Sequence, residues 1–144
     1  MSEKDRLEKG FTVAELALII FVIVVCSAVV IPYMRGRGDK SKWSEGKATA
    51  GSIRTAADNY INEKGNGYDF SGTTLNDLGF RINLNSGGGD LDGKYFTDDS
   101  YEIKFSKKGN YLITIDATQS KSGDPPGSPQ QITLDSTGKF TEIP

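Results

Sequence analysis

Polar and apolar positions divide this chain into three stretches. The first ten residues, MSEKDRLEKG, are polar and hold three basic and three acidic side chains. Phe11 to Met34 is apolar, and Leu16 to Ile31, LALIIFVIVVCSAVVI, contains no charged residue. About 20 apolar residues suffice to cross a bilayer as a helix, so this run predicts a transmembrane helix. From about Lys40 the pattern becomes amphipathic. Trp43, Ala50, Ile53, Ala57, Tyr60 and Ile61 fall at spacings that form one helical face. Gly65 is a helix stop with Lys64 in the last turn. Pro32, Gly36 and Gly38 would loosen any helix running through them, which predicts one long helix with a weak joint near residues 32–39.

Beyond Asn66 the period changes from helical to alternating. Leu75, Leu78 and Phe80 flank a Leu-Gly-Phe turn and are expected to tuck under the helix. Tyr101, Ile103 and Phe105 alternate as one strand face, and Tyr111, Ile113 and Ile115 continue it after a Lys107-Lys108-Gly109-Asn110 turn. Asp124 to Pro129 reads DPPGSP and forms a loop. Ile132 and Leu134 alternate again, and Phe140 with Ile143 closes the chain after a Ser-Thr-Gly turn. The predicted fold is α+β: a long N-terminal helix packed on a small antiparallel sheet of three or four strands, one face of which covers the Ile53–Ile61 side. The expected organisation is residues 1–10 as a leader, 11–34 as the apolar helix, 35–64 as its amphipathic half and 65–144 as a β-rich head.

Composition narrows the picture. The 144 residues carry a net charge of −2, which does not suggest a nucleic-acid partner. About 110 residues follow the apolar run, enough for one small domain. Residues 35–64 hold seven basic and four acidic side chains, and residues 65–144 hold seven basic and eleven acidic. A basic stem and an acidic head could attract between neighbouring copies; a solvated surface with chance asymmetry is the plainer reading. The single cysteine, Cys26, lies in the apolar run, so no intrachain disulfide can form.

Glu15 is the exception in the apolar run. An ionised side chain at membrane depth costs at least about 2.5–3.5 kcal/mol, so such a residue is a functional candidate. The closest cation is Lys9, six positions back, and Thr12 is short. The partner is therefore expected from elsewhere, either a new N-terminus of the same chain or another copy.

At the junction Gly10-Phe11-Thr12-Val13-Ala14-Glu15 the chain resembles the type IV pilin family, which includes the pseudopilins of type II secretion. The shared pattern is a short charged leader, Gly, Phe, three mostly apolar residues, Glu and a long apolar helix, here followed by Ile31-Pro32. Val13 and Ala14 replace the more usual Leu and Ile. The resemblance covers roughly the first third of the chain; beyond Gly65 it is architectural, toward the pilin fold.

The resemblance implies that a membrane prepilin peptidase cuts between Gly10 and Phe11 and that the amine of Phe11 is methylated. It implies that Glu15 pairs with the Phe11 amine of a neighbouring subunit during assembly. It implies a homo-oligomeric helical filament, built by inner-membrane assembly machinery from a membrane precursor and ending in the periplasm or at the cell surface. Two assemblies stand nearly level: a surface type IV pilus, or a pseudopilus of a type II secretion system that drives protein export. The orientation across the membrane also comes from the resemblance, because Arg35, Arg37, Lys40 and Lys42 follow the span.

Three plainer readings compete. A secretory signal peptide would use Leu16–Val25 as its apolar core and Cys26-Ser27-Ala28 as its cleavage site, but its charged region lacks a positive bias and the apolar run continues past Ala28. A simple single-pass anchor leaves Glu15 unexplained. A membrane-anchored binding module would keep its leader and use its head to hold a ligand.

The head has no histidine and no thiol, which removes the commonest general base, transition-metal ligand and sulfur nucleophile, and no enzyme is expected. Asp90 with Asp92 and Asp98 with Asp99 are acidic pairs, and Gly87 to Gly93 resembles a calcium loop faintly. The pseudopilin resemblance raises calcium as a possible cofactor at these four residues; a solvated turn is the plainer reading. Tyr95, Phe96, Tyr101 and Tyr111 are expected in the core and sheet.

Overall fold

Apolar side chains at alternating steps of three and four place one buried stripe along the C-terminal half of a helix, and that stripe organises the fold. A computed structural model describes residues 10–83, 88–120 and 125–144, with backbone alone for residues 29–37. Helix α1 spans Val13–Lys64 and includes Pro32, Gly36 and Gly38. The chain divides into two units at Arg37/Gly38, each of which is described by itself.

In the second unit, Trp43, Gly46, Ala50, Ile53 and Ala57 are buried, a three-four spacing that keeps one helix face inward. Gly46 completes this face. A Cβ there would stand 3.1 Å from the Phe96 ring and 3.4 Å from Ile115, so the missing side chain lets the ring approach the helix closely. The sheet runs β1 (Tyr101–Phe105), β2 (Tyr111–Asp116), β3 (Gln131–Asp135) and β4 (Phe140–Ile143), in the spatial order of the sequence and antiparallel throughout. Register aligns Ile103 with Ile113 and Ile113 with Leu134, and likewise Tyr101, Ile115 and Ile132. These residues share the buried face and form one cluster with the helix stripe. Glu102, Lys104 and Leu112 lie exposed on the other.

The α+β reading and the antiparallel sheet hold, with four strands. Leu75 is buried, and Leu78, Phe80 and Ile61 pack against the core. One apolar assignment differs. Tyr60 leaves the core stripe and joins Tyr68 and Phe70 in an edge-to-face cluster, with ring centroids 6.3 Å from each. Phe140 and Ile143 on β4 are exposed, and the Lys47 side chain of α1 lies 5.6 Å above the Phe140 ring and 3.7 Å from Glu142. Residues 38–144 form one unit with a single core, in which the amphipathic half of α1 packs on the sheet.

Further polar links tie the helix to the head. The Tyr111 hydroxyl donates to Asp58 (2.6 Å). Glu45 accepts from the backbone N–H groups of Tyr95 and Phe96 (2.9 and 3.2 Å), which positions Phe96 on Trp43 with ring centroids 5.1 Å apart.

Candidate functional site

At the start of α1 the carboxylate of Glu15 has a partner that the sequence reading did not grant it. The Thr12 N–H and hydroxyl donate to one Glu15 carboxylate oxygen at 2.7 and 2.9 Å. In return the Glu15 N–H donates to the Thr12 hydroxyl oxygen at 3.2 Å. This is a capping box, with Thr12 before the first helical residue and Glu15 three positions on. The expectation that nothing nearby would pair with Glu15 is therefore corrected: its hydrogen bonds are made locally. Its charge is not neutralised by them, because both donors are neutral. Glu15 also lies in the first turn, where the helix dipole favours an anion.

Behind the box, the described part of the apolar segment is exposed on every side. Phe11 is 81% exposed, Val13 86% and Phe21 66%, and every large apolar residue from Leu16 to Val25 is exposed. Its few polar groups are satisfied from within. The Ser27 hydroxyl donates to the Ile23 carbonyl (2.7 Å), one turn back along the helix. Cys26 is an exposed free thiol. Among the described residues, no helix is long and apolar enough to cross a membrane. Residues 1–9 of the expected leader lie outside the described residues, whereas Gly10 and Phe11 are exposed.

Three of the four acidic residues expected for calcium accept backbone N–H groups. Asp90 accepts from the Arg81 N–H (2.9 Å) and from its guanidinium (3.0 and 3.2 Å), and these bonds hold its carboxyl below the usual carboxylate range. Asp92 accepts from the N–H groups of Asp98 (2.9 Å) and Gly88. Asp98 is buried and accepts from Leu91 and Asn83 (3.0 and 2.8 Å). These carboxylates fasten the backbone of their own loop. A side chain at Gly89 would overlap the Asp98 carboxylate, which explains the glycine there. Asp99 lines an open groove of about 800 Å³ with Glu102 and Asp116. Among the described residues, no group of three or more His, Cys, Asp or Glu side chains could hold a metal.

Phe96, Tyr101 and Tyr111 are buried as expected, and Tyr95 is half-buried beneath Lys42 and Lys94 (5.6 and 5.1 Å). Two residues escaped the sequence reading. Thr12 was legible, because Thr-x-x-Glu before an apolar run is a helix-start signal. Glu45 was not, because its partners lie fifty positions along the chain. No known protein family, curated protein or solved structure matches this chain.

Proposed function

We propose that this chain is a structural subunit of a type IV pilus-like filament, processed between Gly10 and Phe11 and assembled from the inner membrane through α1. One observation carries the reading: an apolar helical segment exposed all round, entered through a capped carboxylate directly after a Gly-Phe junction. Such a segment needs lipid or other copies around it. The sequence continues the apolar run beyond Ala28 to Ile31, which makes it long enough for a bilayer.

The energetics follow from the surroundings. A helix leaving lipid gains no hydrophobic free energy, since lipid tails are as apolar as leucine. Packing against other helices and the pairing of Glu15 must then favour assembly. The capping box gives one carboxylate oxygen of Glu15 two neutral donors and leaves its charge without a counter-charge. An ammonium, from the cleaved Phe11 of the same or a neighbouring chain, is the complement in low dielectric. A charge answered by a neighbour makes axial register a condition of stable packing.

Mass spectrometry of the mature protein tests this reading. The expected N-terminus is Phe11 carrying a methyl group. A chain that keeps Met1, or one cut after Ala28, overturns it.

The second reading, a pseudopilin of a type II secretion system, shares every step up to assembly. The disulfide-free head and the Gly-rich acidic loop favour it. Deleting the gene distinguishes the two: loss of a surface fibre marks a pilus subunit, and loss of protein export without a fibre marks a pseudopilin.

A further inference from the structure

The turn that leaves α1 reads Gly65-Asn66-Gly67, the one Asn-Gly pair in the sequence. Asn66 and Gly67 are exposed, and Gly67 adopts φ +96°, a conformation that residues with side chains rarely take. Neither the Asn66 side chain nor the Gly67 N–H makes a hydrogen bond within the described residues. The helix's last bond here is from the Gly65 N–H to the Ile61 carbonyl, one step short of the pair. Asn66 lines a cavity of about 410 Å³ together with Lys107 and Lys108 of the β1–β2 turn. The one acidic residue lining it, Asp69, already accepts from the Ser71 N–H and hydroxyl (2.9 and 2.6 Å).

We propose that Asn66 is a site of spontaneous covalent modification, converting from a neutral amide to a carboxylate. The Gly67 backbone nitrogen attacks Cγ of Asn66, the bond from Cγ to the side-chain nitrogen breaks, and ammonia leaves with the proton that Gly67 gives up. The product is a five-membered succinimide. Water then opens either carbonyl of the ring, giving aspartate or isoaspartate at position 66. No oxidant, metal or enzyme is required. Ring closure needs an unencumbered nitrogen and a side chain free to turn onto it; Gly67 has no Cβ to obstruct the approach, and neither group must break a hydrogen bond first.

The surroundings also receive the product. A new anion close to a helix C-terminus is ordinarily unfavourable, because that end of the dipole is negative. Here Lys107 and Lys108 line the same cavity, and Lys64 of the last helical turn sits 5.4 and 5.6 Å above the Tyr60 and Tyr68 rings. The modification changes the lining of this cavity from net positive to neutral, so the surface at the end of α1 is re-charged with protein age. This inference rests on the local geometry alone and stands independently of the filament reading.

The test holds the purified full chain in warm, mildly alkaline buffer and follows it by tandem mass spectrometry and isoelectric focusing. Asn66 is expected to gain the mass difference between an amide and an acid before Asn59, Asn62, Asn76 or Asn110 changes. Isoaspartate should appear at that position, and the whole protein should acquire one negative charge. Asn66→Gln, which cannot close the five-membered ring, is expected to abolish the shift while leaving the fold intact. Conversion of the other asparagines at the same rate overturns the proposal. So does conversion of Asn66 only after the chain is unfolded in denaturant.

Discussion

Thr12 and Glu15 cap one end of α1 for each other, the hydroxyl of one receiving the N–H of the other and the carboxylate returning the bond. Two demands of a carboxylate in an apolar setting are thereby separated. Its hydrogen bonds come from its own chain, and both donors are neutral, so they leave its charge in place.

That separation can be measured, because glutamine fills the same place in a capping box without the charge. Glu15→Gln is expected to leave cleavage at Gly10 and helix formation intact while filaments are lost. Sheared-fibre yield and electron microscopy read the result, and normal fibres from this variant would reduce Glu15 to a helix cap. Thr12→Val, which removes the hydroxyl, should cost about 0.5–2 kcal/mol at the helix end and still permit fibres.

Ile53 is fully buried between the helix stripe and the sheet. Ile53→Ala removes core volume and is expected to destabilise the head by about 2–5 kcal/mol, read as a shift of the denaturant midpoint. Gly46→Leu should act by the opposite route, overpacking against the Phe96 ring at a cost of about 1–3 kcal/mol. A neutral result for both would place the core elsewhere.

Asp98 is buried and accepts two backbone N–H groups, so Asp98→Ala removes the acceptor of both and leaves the Leu91 donor buried. Each unsatisfied buried group costs about 1–3 kcal/mol. Gly89→Ala collides with the same carboxylate and is expected to loosen the same loop. Hydrogen exchange at Asn83 and Leu91 should accelerate in both variants.

Burial pushes the Tyr101 phenol up to about 12 from 10.0. The neutral phenol is the buried form, so its contribution is complete below pH 10 and declines as pH rises from 10 toward 12, where the unfolded chain ionises first. Burial, followed by the hydrogen bond to Asp58, shifts Tyr111 in the same direction. Unfolding titrations of the full chain should show stability falling through this window. Tyr101→Phe should flatten the fall, and an unchanged slope would show that this phenol is not buried in solution.

Calcium would have to displace backbone donors to reach Asp90, Asp92 and Asp98. Neither added calcium nor a chelator is therefore expected to move the melting temperature. A rise with calcium would mean that the loop exchanges those bonds for a cation.

Much of the architecture was readable along the chain because its causes are periodic. The alternation at Tyr101–Phe105, Tyr111–Ile115 and Ile132–Leu134 specifies strands whatever their neighbours, and the short Lys107–Asn110 turn makes the pairing of the first two antiparallel. The stripe at Trp43, Ala50, Ile53 and Ala57 specifies a helix face in the same way. Gly46 was passed over because a glycine carries no hydrophobic signal; only the arrival of Phe96 gives it a meaning. Tyr60 has the spacing of the core face but is only half-buried, because its ring packs edge-on against Tyr68 and Phe70, which lie beyond the end of the helix.

By itself, the order of residues determined the long helix, the meander of strands and the unusual carboxylate at the head of an apolar run, since each depends on neighbours within a few positions. Only tertiary structure decided what Asp98 and Glu45 bind. Asp98 reaches Asn83 and Leu91, Glu45 reaches Tyr95 and Phe96, and Asp90 and Asp92 likewise accept from loop backbone. The physical reason is that periodicity reports which face is buried, whereas a hydrogen bond depends on where two distant segments of backbone come to rest.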